Sequence, residues 1–177
     1  YISKHGILLK WKELGVEYID SLLVHCAFTR GWVEERKRVI DALREAKAKG
    51  IVRAIGFSCH SVPALVQAPE LDWIDVALLR INPQGSHIDT PVEHWDAKSD
   101  ASHVEAALAG IRAIKSKGAG IIGMKICGNG DFTDPEDREK SIRFAMTCGL
   151  PDAVVIGFKS PAEVDEAIGR IDRALAG

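Results

Sequence analysis

The sequence predicts an α/β fold, a parallel (β/α)8 TIM barrel of which this chain carries about five strands and their helices. Three observations carry that prediction. Short strand-like apolar runs alternate with helix-like ones along the chain. Strands joined through helices by right-handed crossovers must pair in parallel, covered by those helices. Side chains able to do chemistry then collect where the runs end: His25 and Cys26; Ser58, Cys59 and His60; Arg80 and Asn82; Lys125 and Cys127; Gly157, Phe158 and Lys159. A barrel concentrates function at that C-terminal face. The opposite ends show Tyr18, Val52 and Asp152, which suggest only capping and packing. A doubly wound sheet would carry a G-x-G-x-x-G turn after its first strand, and none is present.

Taken in order, a short opening helix ends near Leu14 and Gly15, and Tyr18 to His25 reads as a strand. Val33, Ile40, Leu43 and Ala46 mark one face of a helix that Gly50 closes. "IVRAIGFS" is a strand, "SVPALVQA" a short helix, and "WIDVALLRI" a strand buried on both faces. Residues 82–100, with Pro83, Gly85 and Pro91, form a long loop whose His87, His94 and Trp95 suit a lid over a pocket. A helix over residues 101–117 leads to the strand "GAGIIGMKI" and the glycine turn "CGNG". Asp134 caps the next helix, Pro135 occupies its first position, and Glu136 and Asp137 favour its positive end. The strand "DAVVIGF" precedes a capping box, Ser160 to Glu163, that opens a last helix with a buried stripe of Val164, Ile168, Ile171 and Leu175.

The 177 residues suffice for a single domain, residues 1–177, but fall short of the about 250 a complete barrel needs. With 23 Lys plus Arg against 25 Asp plus Glu, the formal charge of -2 gives no general attraction for nucleic acid or an anionic membrane. No apolar stretch is long enough to span a bilayer, so small molecules are the expected partners. Four cysteines with no C-x-x-C pair point to reduced thiols, hence a cytoplasmic setting. Oligomeric state stays open.

"LGVEYIDSLLVH", "REAKAKGIVRAIGFSCH", "IIGMKICGNG" and "VVIGFKSPAEVDEAI" resemble successive blocks of the aldo-keto reductase family, from its fourth strand to its eighth. The resemblance implies a (β/α)8 barrel that reduces an aldehyde or ketone to an alcohol with NADP, or NAD, as cofactor. It makes His25 the active-site histidine that orients the substrate carbonyl. It assigns Ser58 and Cys59 to the nicotinamide carboxamide, Met124 to the nicotinamide face, Lys125 to the same mouth and Glu166 to the adenine. Gly128 and Gly130, and then Gly157, Lys159 and Ser160, would meet the phosphates with backbone N–H groups and the start of the last helix. No residue is assigned to a metal. The family's tyrosine acid, with its lysine and aspartate, comes from earlier strands. The chain is therefore expected to be the C-terminal portion of a longer reductase, inactive by itself, with open sheet edges that aggregate or pair.

Some residues depart from the family pattern. Cys59 replaces an amide, Leu78 stands where a glutamine is common, Met124 replaces an aromatic ring, and Glu163 stands where NADPH-preferring members often have Arg. Three other readings stay open on the residues alone. His25, Cys26, Cys59, His60 and Cys127 could bind zinc; Lys125 could form a Schiff base in an aldolase-like reaction; or the barrel binds a nucleotide without catalysis.

Overall fold

The computed structural model describes residues 13–176. Five parallel strands pair in chain order, β1 (Ile19–Ala27), β2 (Val52–Cys59), β3 (Val76–Arg80), β4 (Gly120–Met124) and β5 (Ala153–Val154). The sheet is an open five-strand portion of a barrel, as the alternation of runs predicts. Helices α1 (Trp32–Glu35), α2 (Lys37–Ala48), α3 (Val62–Leu65), α4 (Val104–Ser116), α5 (Pro135–Thr147) and α6 (Pro161–Leu175) form the crossovers. None of the described helices is long and apolar enough to cross a membrane. Most of the predicted opening helix lies outside the described residues; Glu13 and Leu14 are helical, and Gly15 follows with φ +64°.

The core lies between the sheet and the helices, because the periodic apolar face of α2 (Ile40, Leu43, Ala46) meets Ile55 and Phe57 of β2. Trp32 stacks on Phe57 with ring centroids 5.0 Å apart, and its indole N–H donates to Ala64 O at 3.3 Å. One polar device recurs at the N-terminal side of the sheet. An aspartate entering one strand accepts from the backbone of the strand before it and from a lysine of the helix that leads into that earlier strand. Asp75 takes Ile55 N at 2.9 Å and Lys47 Nζ at 2.6 Å. Asp152 takes Ile121 N at 2.8 Å and Lys115 Nζ at 2.6 Å.

Several boundaries differ from those the pattern predicts. β1 runs two residues past His25, because a bulge inserts there: Val24 pairs with Phe57 and Ala27 with Cys59, with Cys26 at φ +59°. "DAVVIGF" contributes only two paired residues, since no described strand covers its far side. The predicted stripe of α6 is also corrected. Ala167, Arg170 and Ala174 are its buried residues, while Ile168 is 53% and Leu175 65% exposed. Ile171 of that stripe is partly buried and packs against the core. The capping box is shifted by one residue: Ser160 Oγ accepts from Glu163 N at 3.4 Å, but the Glu163 carboxylate accepts from Lys159 N at 2.7 Å. Residues 82–100 do lack regular structure, yet their first half is core: Asn82, Ile88, Asp89 and Thr90 are buried.

Candidate active site

Because all five strands run parallel, their C-terminal ends share one rim. At β1 the bulge leaves His25 exposed and turns Cys26 so that its N–H donates to Ser58 Oγ at 2.8 Å. Ser58, itself 3% exposed, thus uses an oxygen lone pair to hold the bulge and keeps its own proton to donate. Cys59 faces the interior: it is fully buried, its thiol donates to Ser61 O at 3.1 Å, and burial pushes it well above the usual thiol range.

His60 follows β2, with its ring edge-on to that of His25, centroids 6.5 Å apart and planes at 77°. Arg80, from the end of β3, contacts His60 Nδ1 and donates to Trp95 O at 2.8 Å. Behind it lies Asp89, and both side chains are almost wholly buried. Their closest approach, Nε to Oδ1, is 3.6 Å, and neither atom has a hydrogen-bond partner. Burial therefore dominates over the arginine, pushing Asp89 up to about 7. Burial and the Arg80 charge together push His60 down to about 4.

β4 delivers Met124 and Lys125, whose φ of +60° turns the chain sharply outward. Asn82 braces this corner, donating to Lys125 O at 3.2 Å and to Ser86 O at 2.7 Å. Lys125 Nζ donates to Asn129 Oδ1 at 2.5 Å, and burial with the Arg80 charge lowers its pKa. Gly128 is at φ +57°, and a Cβ there would meet the Phe132 ring at 2.8 Å. The N–H groups of Gly128 and Gly130 close their own turn on Lys125 O and Cys127 O, at 2.9 and 3.0 Å.

Between the ends of β4 and β5 and the helices α5 and α6 lies a cavity of ≈ 730 Å³. Of the residues the sequence singled out, it gathers Met124, Lys125, Cys127, Gly130, Gly157, Phe158, Lys159, Glu163 and Glu166. His25, Ser58, Cys59, Gly128 and Ser160 lie outside its lining. The Lys159 ammonium forms no ion pair among the described residues. Glu166, by contrast, is clamped by Arg138 Nε at 2.9 Å and Arg170 Nη2 at 2.7 Å, which hold its carboxyl below the usual range. Among the described residues no group of three or more His, Cys, Asp or Glu side chains is placed to hold a metal ion. Sequence reasoning missed Asp89, which sits in a loop with no periodic signal; it considered His60 only as a zinc ligand and gave Arg80 no specific role.

Comparison with known proteins settles the class. A family model, the aldo/keto reductase family, matches residues 10–147, and the chain belongs to that family. Solved structures agree in fold. An aldo-keto reductase from Pseudomonas aeruginosa superposes with a TM-score of 0.74 at 18% identity, covering 99% of this chain and 61% of that one. One from Bacillus halodurans, in its holo form, gives 0.66 at 14% identity, with 97% and 63% covered. The aldose reductase of Giardia lamblia gives 0.60 at 15% identity, with 97% and 65% covered. The chain therefore spans less than two thirds of the solved reductases it matches. No curated protein matches the sequence.

Proposed function

We propose that this chain supplies the C-terminal part of an NAD(P)H-dependent reductase that converts an aldehyde or ketone to an alcohol. The observation that carries the reading is the ≈ 730 Å³ cavity at the rim, where Gly157 leaves open space and Lys159, with no ion pair among the described residues, stands at the start of a 15-residue helix. Its volume suits a nucleotide-sized ligand, and a cation beside a helix N-terminus suits a phosphate. These residues fit a nicotinamide dinucleotide; when bound, it would supply the hydride. Lys159 would neutralise phosphate charge, Met124 and Lys125 would border the ring, and Glu166, held by two arginines, would keep a fixed acceptor toward the adenosine. Ser58 would offer its remaining O–H to the carboxamide, and His25 would donate to the substrate oxygen as charge develops there.

The two sheet edges left open among the described residues and the coverage of related structures support a longer protein, whose tyrosine, lysine and aspartate complete the site. The isolated chain is then inactive, and its four free cysteines suit a cytoplasmic setting. The test is aldehyde reduction by the longer protein with NADPH or NADH, followed by nicotinamide absorbance. His25→Ala should abolish it, and undiminished turnover in that variant refutes the role. A second reading rests on Lys125, whose lowered pKa suits Schiff-base chemistry. Borohydride trapping of a carbonyl compound on Lys125, lost in Lys125→Met, would favour it over reduction.

A further inference from the structure

We infer that His60 is a second hydrogen-bond donor to the substrate oxygen, beside His25, through an Nε2–H that Arg80 fixes by donating to Nδ1. The inference rests on the carbonyl-reduction reading and adds to it a residue and its positioning partner.

A guanidinium carries only donors and stays charged, so a ring nitrogen in contact with it must offer a lone pair. Arg80 Nη2 contacts His60 Nδ1, which leaves the ring neutral with its proton on Nε2. Nδ1 also lies 3.4 Å from Trp95 O, but an Nδ1 that accepts from Arg80 has no proton to give that oxygen, which itself accepts from Arg80 at 2.8 Å. Both acceptors thus converge on one guanidinium nitrogen. Nε2, across the ring from Arg80, makes no hydrogen bond among the described residues. Burial and the charges of Arg80, His25 and Lys125 all disfavour an imidazolium here, against only the Trp95 carbonyl.

The His25 and His60 rings, with centroids 6.5 Å apart on one rim, are near enough to serve one oxygen, and two donors there would stabilise the negative charge that builds on a carbonyl receiving hydride. His60 keeps its proton throughout and adds no transfer step. Arg80 is a positioning residue, since its Nη2 is spent on His60 and Trp95 O.

The test has two arms. In protein labelled with 15N-histidine, NMR should show His60 with an unprotonated Nδ1 and a protonated Nε2 between about pH 5 and 8. Arg80→Lys should preserve that form, and Arg80→Met should release it. In the longer reductase, His60→Phe should lower kcat on the order of 10²-fold without weakening cofactor binding. A protonated Nδ1 in the unmodified protein, or an unchanged kcat in His60→Phe, overturns the inference alone. If the unmodified reductase reduces no carbonyl while the NMR arm holds, the reductase reading fails and takes the donor role with it.

Discussion

Arg80 and Asp89 form a charge pair without a hydrogen bond: Nε lies 3.6 Å from Oδ1, with side-chain exposures of 5% and 2%. Such a pair offsets little of its own desolvation, yet removing one partner strands the other. Asp89→Leu should therefore destabilise the fold by about 3–5 kcal/mol, as measured by urea denaturation. An unchanged midpoint would show that the pair is dispensable.

The same cluster makes a signed prediction about pH. Asp89 is raised in the folded state to about 7, so from about 4 upward the folded form holds a proton the unfolded chain has lost, and stability falls as pH rises. His60 is lowered to about 4, so below its ordinary value the unfolded chain holds a proton the folded form lacks, and stability rises with pH. Between about pH 4 and 6.5 the two effects oppose each other, leaving the unmodified protein with little pH dependence from this cluster. Asp89→Asn should restore a rise with pH, and His60→Phe a fall. Each slope is at most about 1.4 kcal/mol per pH unit, less for the partly exposed His60. Parallel stability-versus-pH curves for both variants would contradict the assignment.

Gly56 pairs with Val76, and a Cβ built on it would lie 1.6 Å from the Val76 carbonyl oxygen. Backbone cannot retreat as a flexible side chain does. Gly56→Ala should part β2 from β3 and cost more than about 3 kcal/mol, seen as a lowered melting temperature or insoluble protein. Gly120→Ala is the control, a strand glycine whose added Cβ would meet only Asp75 O at an ordinary 3.7 Å.

How much of this was readable in advance follows from where each signal resides. Strand–helix alternation and the caps at Asp134 and Ser160 are local, so they were legible; Asp134 does accept from Glu136 N at 2.8 Å. The rim residues were legible because strand ends locate them. The exposure of Ile168 and Leu175 was not, since a periodic stripe is written the same way whatever covers it. Nor was the bulge at Cys26, which arises from pairing with β2 and from the Ser58 hydroxyl. The roles of Arg80 and Asp89 depend on a loop folding back on a strand end, and nothing in "HIDTP" marks an aspartate for burial.

Beside the edge strand β5, Val155, Phe158 and Ile168 are 51%, 41% and 53% exposed. With the backbone of β5 unpaired on one side, the isolated chain should self-associate in sedimentation experiments. Ile168→Lys should weaken that association without lowering the melting temperature. A monomer at high concentration would contradict this.

The most direct measurement is a calorimetric titration of the purified protein with NADPH and with NADH, alone and as Lys159→Glu. Saturable binding at one site per chain, lost or weakened at least tenfold in Lys159→Glu and unaltered in Lys117→Glu, is the expected result. No binding of either nucleotide, or affinity indifferent to Lys159, would contradict a dinucleotide site at the mouth of β4 and β5.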